Sequence, residues 1–84
     1  MIKNSEFSKD DINNIYRTIG KNVKKIREEK GISQLALAMA IGHKSVGVVS
    51  NCELCLQNMH FNIEHLVKIA CVLDVNIKDF CENI

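Results

Sequence analysis

Eighty-four residues, 46% of them hydrophobic but with no Trp and no Pro, allow one small aliphatic core and exclude a roomy substrate pocket. A net charge of +1 excludes a uniformly basic coat for nucleic acid. The charge is nevertheless unevenly spread: residues 1–44 hold nine Lys or Arg against five Asp or Glu, and residues 45–84 hold two against five, so one half can present a positive face.

Residues 1–8 have no identifiable packing partner and are expected to form an arm, leaving 9–84 as the domain. Ser8 and Asp11 have the spacing of a capping box, with Asp in the reciprocal role. Apolar residues then recur at Ile12, Ile15, Ile19, Val23 and Ile26, which predicts an amphipathic helix over 9–30, stopped by Gly31. Gly20 sits inside it at a propensity cost of about 1 kcal/mol relative to Ala, as if to mark a bend. Ser33 should cap a second helix over 34–41 with Leu35, Ala38 and Ile41 inward, ended by Gly42. Ser45 should cap a third over 46–54, with Val49 and Cys52 on one buried face. The connection 55–61 is unusually apolar at Leu56, Met59 and Phe61. Asn62 should cap a fourth helix to about residue 72, burying Ile63, Leu66, Val67, Ile69 and Ala70. Asp74 would turn the chain, and Asn76 would cap a last helical turn holding Ile77 and Phe80. The expected fold is therefore all-α: a compact five-helix domain with an extended first helix.

The stretch Gln34-Leu-Ala-Leu-Ala-Met-Ala-Ile-Gly42, followed six residues later by Val49-Ser-Asn-Cys-Glu53, has the parts of a helix-turn-helix. Ala38 is small where two helices would cross, and Gly42 can turn sharply between them. Leu37 or Leu35, Ile41, Val49 and Cys52 would lie beneath both. Together with Ile19 to Gln34, Leu66 to Ala70 and Leu73 to Phe80, this pattern resembles the lambda-repressor-like helix-turn-helix proteins, the XRE type of phage repressors and bacterial regulators.

The resemblance implies residue roles. Gln34 would open the scaffold helix against a DNA phosphate, where a helix N-terminus favours an anion. Lys44 in the turn would be a phosphate cation. Ser45, Val46 and Gly47 would begin the recognition helix in the major groove, with Ser50 and Asn51 one turn on; Asn can read adenine and Val can pack on a thymine methyl. Arg27 and Glu53 match an ion-paired couple that would tie the first helix to the third near the DNA backbone; independent solvated charges are the plainer reading.

Departures from the family pattern weaken the phosphate grip. The turn between Gly42 and Val49 is one residue longer than the commonest pattern, the recognition helix has no Lys or Arg, and no basic residue follows Glu53 before His60. The expected function is thus sequence-specific binding of double-stranded DNA at modest affinity per monomer, by a transcriptional repressor or controller protein that acts as a dimer. The alternative is a protein-interaction module of the same fold, in a toxin–antitoxin or phage complex, with weakened DNA contact. Apolar surface for a homodimer is offered by Ile77, Phe80, Ile84, the 56–61 connection, or the first-helix turns around Ile12, Ile15 and Tyr16; those turns equally suit covering the core.

Other chemistry finds little support. Cys52, Cys55, His60 and His65 have the ligand types of a small zinc knuckle, but Cys52 falls at an apolar helix position where a thiol serves as a small core residue. A redox pair of Cys52 and Cys55 lacks an electropositive setting. No phosphate loop or activated nucleophile is present, so neither an enzyme, nor a cofactor, nor a small-molecule substrate is expected. No run reaches the ~18 uncharged apolar residues of a membrane helix, and Met1 to Asn4 carry no secretion pattern. A cytoplasmic protein of bacterial or phage origin, without a membrane partner, is the expectation.

Overall fold

Ser8 closes a capping box: its Oγ accepts from the Asp11 N–H at 3.1 Å, and the Asp11 carboxylate accepts from the Ser8 N–H at 3.0 Å. These reciprocal bonds satisfy donors that the first turn leaves open and start helix α1, Lys9–Glu29. The computed structural model describes residues 8–84, so the expected arm lies, Ser8 apart, outside the described residues.

Gly31, at φ +71°, ends α1. The N–H of Ile32 reaches back to the Arg27 carbonyl at 3.1 Å and that of Gly31 to Glu28 at 3.0 Å, the paired bonds of a Schellman terminus. Helix α2, Gln34–Ala40, begins at Ser33, whose Oγ accepts from the Ala36 N–H at 3.0 Å. It ends with the same bond pair around Gly42, where His43 N–H meets the Ala38 carbonyl at 2.9 Å. Helix α3 spans Gly47–Leu54. A 3-10 turn at Leu56–Asn58 leads to helix α4, Ile63–Leu73, capped by Asn62. Asp74 in the left-handed region closes α4, and a 3-10 segment, Ile77–Cys81, ends the described fold.

The described chain is all-helical, as expected, but with four α-helices rather than five. Asn76 and Asp79 frame too short a segment for an α-helix, and the chain tightens into 3-10 geometry. Ser45 does not cap α3: the cap position falls on Val46, in αR geometry with no side-chain bond. Ser45 still lies within the turn, and the helix starts two residues on, at Gly47.

The core gathers Val23 from α1, Leu37 and Ala38 from α2, Val49 and Cys52 from α3, Leu66, Ile69 and Leu73 from α4, with Phe61 and Phe80. Two expected core assignments shift. Leu35 is 49% exposed while Leu37 is fully buried, because only Leu37 stacks with Ala38 and Ile41 on the inward face. Ile63 and Val67 are 70% and 55% exposed; the buried stripe of α4 runs instead through Leu66, Ile69, Ala70 and Leu73.

Gly20 turns out to be a contact rather than a bend. A β-carbon there would stand 2.6 Å from the backbone carbonyl oxygens of both Cys52 and Glu53. The missing side chain is what lets α1 and α3 cross closely.

Candidate nucleic-acid interface

Helix α3 owes its orientation to Val49 and Cys52, three residues apart and both buried, and to Glu53, whose side chain is sealed in beside them. With that face fixed against α1 and α2, the opposite face carries Gly47, Ser50, Asn51 and Leu54, at steps of three, one and three. Ser50 and Asn51 are half-exposed, and Leu54 is open to solvent. The Ser50 hydroxyl donates to the Gly47 carbonyl at 3.3 Å. In the preceding turn Lys44, Ser45 and Val46 are all exposed. Of the residues picked out from sequence, Lys44, Ser45, Val46, Gly47, Ser50 and Asn51 therefore all keep some exposure.

Gln34, at the start of α2, is tied to the buried side of α3 through Glu53. Its amide Nε2 donates to Glu53 Oε1 at 2.9 Å. Arg27 holds the same carboxylate with two bonds, Nε to Oε2 at 2.7 Å and Nη2 to Oε1 at 3.2 Å. Its Nη1 donates to the Ile32 carbonyl at 2.8 Å. One buried carboxylate thus ties together α1, the start of α2 and the end of α3. A charge-assisted fork of this kind fixes geometry, while the desolvation of both ions offsets much of its energy. All three guanidinium nitrogens are engaged inside the protein, so Arg27 acts as a strut for α3 rather than reaching outward.

The cysteine and histidine set disperses. His65 helps cap α4: its Nδ1 accepts from the Asn62 N–H at 3.1 Å, and its own N–H donates to Asn62 Oδ1 at 2.7 Å. The His60 ring stacks on Tyr16 with centroids 3.6 Å apart. Among the described residues no three His, Cys, Asp or Glu side chains converge as ligands. Burial, reinforced by neighbouring Cys55, pushes the Cys52 thiol up to about 11. Burial also raises Cys55, against the opposing pull of Arg17. Neither thiol has the lowered pKa of a reactive cysteine.

Three cations not singled out from sequence line the flank of α1 beside the end of α3. Arg17, Lys21 and Lys24 share an open groove with Glu53 and Leu54. Their spacing of four and three was a readable sign of a common face; that the face borders α3 required the helix crossing at Gly20. No helix of the described residues is long and apolar enough to cross a membrane.

A helix-turn-helix family model matches residues 23–80, well over half of the chain and all of α2, α3 and α4. No curated protein matches the chain.

Proposed function

The chain belongs to the lambda-repressor-like, XRE-type helix-turn-helix family of DNA-binding transcription regulators, and on that premise we propose that it binds double-stranded DNA sequence-specifically through α3. The observation that carries this is the two-faced construction of α3. Val49, Cys52 and Glu53 anchor one side, while Ser50 and Asn51 lie half-buried on the other, shortly after the exposed Lys44, Ser45 and Val46. Short side chains on a firmly seated helix suit close approach to base edges in the major groove. Asn51 is the adenine reader in this account, Val46 the thymine-methyl contact, and Lys44 with Gln34 the flanking backbone contacts.

The protein acts as a transcriptional repressor or small controller in the bacterial cytoplasm, in this reading as a homodimer on two half-sites. Dimerisation narrows to fewer candidates than composition offered. Phe80 and Phe61 are sealed in the core and Tyr16 is covered by His60. Ile12, Leu56, Ile77 and Ile84 remain exposed. Exposed Leu54 and Leu56 at the end of α3 also favour a second reading, in which this end docks a protein partner and DNA contact is secondary.

Selection of bound fragments from a random duplex pool tests the first reading. Recovery of a short repeated half-site by the protein alone, with enrichment lost in Asn51→Ala, supports it. A pool that stays unenriched through successive rounds refutes it.

A further inference from the structure

One strip of surface takes no part in the proposed base reading, the flank of α1 that meets the far end of α3. Arg17, Lys21 and Lys24 stand along one wall of a groove completed by Leu54 and Glu53. Arg17 also borders the next hollow along α1, which it shares with Lys9, Asn58 and His60. From Lys9 to Lys24 the helix rises roughly 22 Å at about 1.5 Å per residue, so the four cations form a band rather than a point.

The charge of this band is not neutralised within the fold. The one carboxylate in the groove, Glu53, is already held by Arg27 and Gln34. The ion pairs among the described residues are Arg27–Glu53 and Glu64–Lys68, and neither includes a member of the band. Arg17 uses Nη2 on the Asn14 side chain at 2.7 Å, which steers the guanidinium while its remaining donors stay available.

Position selects the anion. Leu54 lies one helical turn beyond Ser50 and Asn51 on the same face of α3, so the groove it shares with the band opens beside the base-reading surface. The connection that follows, Cys55 to Phe61, carries no Lys or Arg. A duplex seated on α3 would run its phosphate backbone past this end of the domain, and an extended row of cations matches a regularly spaced polyanion.

We propose that Arg17, Lys21 and Lys24, with Lys9 at the margin, are sequence-independent DNA-backbone contacts, supplied by the first helix in place of the uncharged connection after α3. The proposal rests on the DNA-binding reading above and adds a second contact strip to it. It also gives a physical role to the unequal charge of the two halves of the chain.

The test is the salt dependence of binding, read by fluorescence anisotropy on a mixed-sequence duplex of about 30 base pairs, where each neutralised phosphate adds about 0.9 to the slope of log affinity against log salt. The triple variant Arg17→Gln, Lys21→Gln, Lys24→Gln is expected to lower that slope by about 2 to 3 and to weaken binding at low salt. The charge-preserving variant Arg17→Lys should keep the full slope, which a purely structural role for Arg17 would not require. Asn51→Ala should keep the slope while losing preference for a selected duplex over the mixed one. A triple variant that folds normally by circular dichroism and retains the wild-type slope overturns the proposal alone. Wild-type protein with no salt-dependent duplex binding overturns the DNA-binding reading and the proposal with it.

Discussion

Glu53 is the residue on which the interface turns, because Arg27 and Gln34 both anchor to its buried carboxylate. Removing one member of a buried ion pair strands the other charge, at a cost of about 3–5 kcal/mol. Arg27→Met alone is therefore expected to destabilise the fold by that order in urea denaturation, and the double variant Arg27→Met, Glu53→Leu by less. A double variant worse than Arg27→Met would contradict the strut account. His65 sets a second, pH-dependent contribution. Burial, and then His43 close by, hold its pKa below the ordinary 6.5, with Lys68 and His60 acting the same way and Glu64 opposing. When the folded pKa is the lower one, the unfolded chain takes up the proton first. Stability is then full above the unfolded value and is lost as pH falls through the depressed folded value. The urea midpoint should fall as the pH drops below about 6.5, and His65→Gln should flatten that fall. A midpoint that rises on acidification would contradict the assignment.

At the scale of elements, the crossing of α1 and α3 depends on Gly20. Helix propensity alone says that Gly20→Ala should gain about 1 kcal/mol. The two carbonyl oxygens 2.6 Å from the added carbon are backbone and cannot swing aside, so overpacking costing about 1–3 kcal/mol outweighs the gain. The variant should unfold at lower urea than wild type; equal or greater stability would show that the helices separate freely. This same residue marks where sequence reading stops. Caps were legible because they are local: Ser8 with Asp11, Ser33, Gly31, Gly42, Asn62 and Asp74 act on backbone groups within a few positions. The role of Gly20 depends on carbonyls more than thirty positions away, which no local pattern encodes. Leu35 and Leu37 could not be separated because α2 has only seven residues, too few for periodicity to choose a face. Ser45 looked like a cap by type, yet the turn runs on through Val46 and the helix starts at Gly47.

For the whole molecule, the resemblance drawn from dispersed motifs agrees with a family match that begins within α1 and ends at Phe80. The couple Arg27 and Glu53 was legible from that resemblance, and the outward face of α3 followed from burying Val49 and Cys52. The cationic flank was not, since it exists only once α1 is laid against α3. A basic first half and an acidic second half become, in the folded chain, a positive strip beside a nearly uncharged reading helix. On the proposed reading, affinity in such an arrangement comes from the DNA backbone and selectivity from a few short side chains. The most direct test is an amide NMR titration of the full chain with a duplex obtained by selection. The account predicts that the largest shifts fall on Lys44 to Asn51, with Gln34 and the Arg17 to Lys24 flank following. Shifts confined to the outer face of α4 around Ile63 and Val67, with α3 unmoved, would contradict it.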